Sequence, residues 1–242
     1  MSDLNSMMKN KQTNCISCPN KNCFCKKCSP EWVEILNKRK TQIFYRKGQD
    51  IFVAGQMVLG LHFIQSGKVK VTSTGYNGRE QIVRIATAGH ILGHRGYGRE
   101  IYPVNAAALE DSLICFVEND TIYEAFIRNP EMTYSLMIFY ANELREVESR
   151  LKCQMQMNTR EKVVSSLTYL NKVFGIHPKD KTINVQLSRK EIAELAGVSS
   201  DEQVVRIFND LVKENIISKS GKKIKIIDET ALLKIVEPFG MG

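Results

Sequence analysis

The sequence predicts an α+β chain: a compact antiparallel β domain, one long helix and a C-terminal winged helix-turn-helix. Three observations predict it. Ten of the fifteen glycines lie between Gly48 and Gly98, among short strand-like runs. Between Pro130 and Met157, apolar residues recur at intervals of three and four. From Leu187 to Ile217, two amphipathic segments flank a turn glycine and lead into a basic hairpin.

The leader, residues 1–30, holds five of the seven cysteines: Cys15, Cys18, Cys23, Cys25 and Cys28. It is also the most basic stretch. Residues 1–50 carry ten Lys/Arg against four Asp/Glu, whereas residues 51–158 carry ten against eleven and residues 159–242 fourteen against eleven. The net charge of +8 therefore does not by itself point to the C-terminal segment as a nucleic-acid partner. No 18-residue apolar run is present, and the polar N-terminus has no signal-peptide core, so a cytoplasmic chain without membrane contact is expected.

The β domain is expected over residues 31–129. Its strand-like runs are Ile51–Val53, Leu61–Ile64, Val69–Val71, Ile82–Ile85 and Leu113–Val117. Gly75-Tyr76-Asn77-Gly78 reads as a hairpin turn. A dimerisation helix is expected over residues 130–157, with Pro130 suited to its first turn. Met137, Tyr140, Leu144, Val147 and Leu151 form a heptad seam for a second copy of the chain. Met132, Leu136 and Phe139 form a second stripe, suited to packing on the β domain.

Residues 158–242 make up the last domain. Lys162–Phe174 is its first helix, ending near Gly175. Ser188 and Glu191 form a capping box ahead of Ile192, Leu195 and Ala196. Gly197 supplies a left-handed turn, and Ser199 or Ser200 caps the next helix. Val204, Ile207, Phe208, Leu211 and Val212 are its buried stripe. Glu202, Gln203 and Arg206 face the other way, where polar side chains reach base edges. The following hairpin carries Lys219, Lys222, Lys223 and Lys225 toward phosphates, with Ser188, Ser199 and Ser200 as further positioning contacts. A helical hairpin with a merely solvated polar face would lack this basic wing.

Taken together, these residues resemble the CRP/FNR family of regulators. Lys47-Gly48, Ile51-Phe52, Gly55, Leu61–Phe63 and Ser66-Gly67-Lys68-Val69-Lys70 resemble that family's roll signature, and Ala108–Ser112 resembles the approach to its dimer helix. The resemblance covers roughly residues 40–227. It implies a β-roll of the cyclic-nucleotide-binding (jelly-roll) type and a homodimer on a palindromic double-stranded operator. RNA polymerase is the further partner it implies. Cyclic AMP is not expected, because His94 stands where cAMP-binding relatives place an acidic residue and no Arg-Ser pair follows in Pro103–Ala108. The recognition helix has one residue more than usual between Gly197 and Glu202, which leaves the half-site sequence open.

Three states of the cysteines stay open. Oxygen-sensing members of that family hold a [4Fe–4S] cluster with three leader cysteines and one roll cysteine, whose place Cys115 takes here. Their Cys-x₂-Cys-x₅-Cys leader is matched imperfectly, since Cys18 is followed by Cys23 after four residues and by Cys25 after six. Alternatively, Cys15, Cys18, Cys25 and Cys28 bind structural zinc, or the thiols are unligated. Two other classes compete with the DNA-binding regulator. A small-molecule-sensing module without DNA binding leaves the basic wing unexplained. An enzyme lacks support, because no nucleophile–base pair or phosphate loop is present and the four histidines are scattered.

Overall fold

The computed structural model describes residues 13–239. The first twelve residues of the leader and the last three residues of the winged-helix segment lie outside the described residues. Two compact units emerge. One comprises the described residues up to Val69 together with Ala86–Tyr140; the other comprises Lys70–Ile85 and the described residues from Ala141 onward.

In the first unit the leader makes a short 3₁₀ turn, Phe24–Lys27, and passes into α1, Pro30–Arg39. Ser29 caps this helix by accepting a hydrogen bond from the Trp32 amide, and Pro30 occupies its first turn. The strands are β1 (Thr41–Tyr45), β2 (Asp50–Phe52), β3 (Gly60–Ser66), β6 (Ile91–Leu92), β7 (Asn105–Ala108) and β8 (Ser112–Glu118). One antiparallel sheet has the order β1-β8-β3-β6, with Gln42 opposite Cys115, Leu61 opposite Val117 and Phe63 opposite Ile91. β2 pairs with β7. Gly60 is required where β3 meets β8, because a Cβ there would collide with the Val117 carbonyl and the Phe116 ring.

Helix α2, Asn119–Arg128, then leads into the long helix α3, Pro130–Gln156. Leu36, Leu61, Phe63, Val117, Ile122, Ala125 and Met132 share one core, and Leu136 and Phe139 pack against it. The second stripe expected on the long helix therefore does face the β domain.

The second unit takes in β4 (Lys68–Thr74) from Lys70 onward and β5 (Glu80–Thr87) up to Ile85, a hairpin whose tip is closed by Gly75 N–H donating to the Arg79 carbonyl at 2.8 Å. The C-terminal half of α3 ends at Gln156, one residue short of the expected boundary. Asn158 immediately starts α4, Thr159–Phe174. Asn158 and Glu161 form a complete capping box, which places this helix start three residues earlier than expected. Helix α5 (Arg189–Ala196) and helix α6 (Asp201–Lys213) are joined through Gly197 in the left-handed region, φ 65°. β9 (Ile217–Ser220) and β10 (Lys223–Ile226) form the wing around Gly221, and α7 (Glu229–Val236) follows.

The core of this half is the expected one, with one exception. Val204, Ile207, Phe208 and Leu211 are buried, but Val212 is 38% exposed because it lies at the helix end, past the last core layer. Among the described residues no helix is long and apolar enough to cross a membrane.

Candidate DNA-reading surface and cysteine pocket

The reading surface is built by α5, the turn and α6. Ser188 caps α5 with its hydroxyl bound to Glu191 in both directions: it accepts from the Glu191 amide at 3.1 Å and donates to Oε2 at 2.9 Å. Its side chain is thereby committed to the cap. Gly197 has little room for a Cβ, since the Gln154 side-chain amide would lie 3.0 Å away. The Gln154 amide itself donates to the Ala196 carbonyl at 2.9 Å.

Ser200 occupies the N-cap of α6 without a side-chain cap bond. Ser199, Glu202 and Arg206 are exposed, and Gln203 is half-buried. The Ser200 hydroxyl bonds Glu202 and holds its carboxyl below the usual range, which keeps an ionised acceptor at the start of the helix. Glu202 and Arg206, four residues apart, share the outward side of α6. That arrangement can accept from cytosine and donate to guanine. The Arg206→Ala variant is therefore expected to lose ~1–3 kcal/mol on a specific duplex, with far less effect on non-specific binding. Titrations of both duplex types check this, and unchanged specific affinity contradicts it.

The wing differs from expectation in one respect. Lys222 is exposed at the turn, but Lys223 is ion-paired with Asp180 at 2.6 Å and Lys219 donates to Asn209 Oδ1 at 2.6 Å. Only part of the wing's positive charge is thus at hand for phosphates. Arg189, which the sequence reading did not single out, donates to the Gly221 carbonyl at 2.9 Å and lies 4.5 Å over the Phe208 ring. It pins the wing turn to the helical core.

The cysteines divide. Cys15, Cys18, Cys23, Cys25 and Cys115 line one pocket, together with Lys26 and Lys40. Cys28 does not line it; its Sγ lies 3.2 Å from Met132 Sδ at the start of α3. Cys28 thus does not share the pocket lining of the other three zinc candidates, and Cys153 lies buried on α3.

Lys40 is buried, and its ammonium contacts the Thr13 carbonyl, Asn37 Oδ1 at 3.1 Å and Cys15 Sγ at 3.1 Å. A cation held this way favours negative charge on its neighbours. The Cys25 thiol donates to Cys23 and lowers its pKa to about 7, against burial and with help from Lys26 and Lys40. Cys25 moves the opposite way, through the same bond and its complete burial. Burial pushes Cys115 up to about 11. Among the described residues no three Cys, His, Asp or Glu side chains are gathered into a metal-holding group. The donor set nevertheless suits a negatively charged thiolate–metal centre in kind: several thiols and two cations around one pocket.

Elsewhere in the first unit, His94 is buried with its ring against Phe139 and Tyr140, and its carbonyl accepts from the Tyr140 hydroxyl at 2.8 Å.

Comparison with known proteins agrees with this architecture. Residues 42–129 match the cyclic nucleotide-binding domain family, and residues 161–235 match the Crp-like helix-turn-helix domain family. The chain is 25% identical over 205 residues to the fumarate and nitrate reduction regulatory protein of Vibrio cholerae, covering 84% of this chain and 80% of that protein. Together with the two family matches, this likeness supports a CRP/FNR family regulator. It is 26% identical over 188 residues to the transcriptional activator protein Anr of Pseudomonas aeruginosa, covering 77% of each chain. FixK2 from Bradyrhizobium japonicum shares the fold, with a TM-score of 0.72 at 20% identity over 81% of this chain and 96% of that one. The named relatives are transcriptional regulators, and with the helix-turn-helix match they support a DNA-binding regulator of the same type.

Proposed function

We propose that this CRP/FNR regulator acts in the cytoplasm as a homodimer on a palindromic operator and contacts RNA polymerase there. In this reading the pocket formed by the leader cysteines and Cys115 reports oxygen or redox state. The observation that carries the reading is the pocket itself: four leader cysteines and Cys115 of β8 line it together with the buried Lys40. Cys15, Cys18, Cys23 and Cys115 would hold the iron–sulfur centre, with Cys25 as the alternative third leader ligand. Such a centre, when bound, supplies a charge and a set of bonds that oxygen can remove. Lys40 and Lys26 offset the negative charge of the thiolates, and Gln42 donates to Cys115 at 3.7 Å across the β1–β8 pair.

The dimer rests on the long helix. Met137, Tyr140, Leu144, Val147 and Leu151 are 39–61% exposed and recur at heptad spacing, as an unfilled seam for an identical helix does. Dimerisation puts two recognition helices at paired half-sites, with Ser199, Ser200 and Lys222 on phosphates and Glu202, Gln203 and Arg206 on bases. His94, buried where cAMP-binding relatives carry an acid, supports a roll that does not take cyclic AMP in their manner.

Anaerobic purification followed by iron, sulfide and zinc analysis tests the sensor. Iron with labile sulfide, lost in air, is the expected result. The Cys115→Ser variant should lack it and the Cys28→Ser variant should keep it. Zinc, or no metal at all under nitrogen, rejects the cluster.

A further inference from the structure

The β4–β5 hairpin touches the helix-turn-helix at two separated points. From β4, Lys70 Nζ lies 3.2 Å from Glu191 Oε1, and the two side chains are only 21% and 20% exposed. The same carboxylate uses Oε2 to cap α5 through the Ser188 amide at 2.8 Å. From the hairpin tip, the Arg79 guanidinium donates to the carbonyls of Val198, at 3.3 Å, and Ser199. One contact is thus made at the first turn of α5, and the other in the turn that launches α6.

The hairpin is itself anchored to the long helix. Arg84 on β5 pairs with Glu143 at 3.1 Å, with exposures of 7% and 17%, and Arg150 donates to the Val83 carbonyl at 2.8 Å. Gln154 closes the third side by donating to the Ala196 carbonyl. Hairpin, long helix and helix-turn-helix therefore form a closed triangle of polar contacts. None of these contacts uses the base-reading face. Glu202 and Arg206 stay exposed while the hairpin is docked.

We propose that Arg79 and Lys70 are positioning residues for DNA recognition: the sensor hairpin braces the helix-turn-helix in a reading-competent orientation without touching DNA. The inference rests on the DNA-binding function and adds a residue-level device to it. A helix held in place before binding loses less orientational freedom when it enters the groove, so the brace raises specific affinity. A single Arg79 nitrogen, Nη2, donates to both carbonyls and so ties the hairpin tip to two successive residues of the turn.

The test uses the full-length protein, handled anaerobically, and a duplex that the wild type selects from a random-sequence pool. The Arg79→Ala and Lys70→Met variants are each expected to bind that duplex about five- to tenfold more weakly. Lys70→Arg should restore wild-type affinity. The slope of log affinity against log salt should be unchanged in every variant, because no phosphate contact is lost. Thermal unfolding should also stay within the wild-type range.

Unchanged affinity in both variants overturns the brace. Tighter binding overturns it too and assigns the hairpin an inhibitory role instead. Weaker binding with a salt slope reduced by about one makes Arg79 or Lys70 a direct phosphate contact, which again rejects the proposal. If the wild type selects no duplex, the DNA-binding function fails first, and the inference fails with it.

Discussion

Replacing Leu144 by glutamate is expected to split the protein into folded monomers that no longer hold a palindromic duplex. Leu144 is 59% exposed on the single chain, so the subunit's own core does not depend on it. In a paired helix it meets its symmetry mate or the neighbouring Tyr140 and Val147. Burying one leucine contributes about 1.5–3 kcal/mol, and a dimer buries two. Two carboxylates facing each other add repulsion and desolvation to that loss. The dimer dissociation constant should rise by at least about a hundredfold. Operator affinity should fall with it, because the second half-site is no longer tethered to the first. Sedimentation equilibrium and gel shifts on the same preparation measure both. A variant that stays dimeric places the interface elsewhere.

The Phe208→Ala variant is expected to disable the winged helix from inside. Phe208 is fully buried and faces Arg189 across its ring. Removing such a ring costs about 3–5 kcal/mol, comparable to much of the stability of a small domain. The loss also frees Arg189, which holds the wing turn through Gly221. Specific and non-specific DNA binding should therefore fall together, unlike in the Arg206→Ala variant, where only the specific component falls strongly. Hydrogen exchange should rise across α4 to α6 while the β1-β8-β3-β6 sheet keeps its protection. Wild-type protection in α6 would show that the ring is not the keystone of that core.

The helix-turn-helix was legible because its signals are local. Ser188, Glu191 and Gly197 act within one or two turns, and each takes the role its chemistry suggests. Helix α1 carried an equally local signal, Ser29 followed by Pro30, but the adjacent cysteines dominated the reading of that stretch. β1, β7 and α2 were not read at all: Thr41–Tyr45 and Asn105–Ala108 are short, and Asn119–Arg128 begins without a side-chain cap. The cysteine pocket was half legible. Spacing grouped the leader thiols, yet it could not show that the chain turns Cys28 onto Met132 while Cys25 points inward. Lys70–Glu191 and Arg79–Ser199 join residues about 120 positions apart, and no periodicity in one sequence encodes such pairs.

The joint at Met157-Asn158 has a consequence for anyone re-engineering this regulator. Helix α3 stops at Gln156, and the Asn158–Glu161 box starts the next helix at once, so Met157 alone separates the helix end from the next cap. A chimaera that borrows another reading head should be spliced downstream of Glu161. Cutting at the joint itself, or padding it with glycine, would remove the capping box that ties the start of the reading head to the end of the long helix.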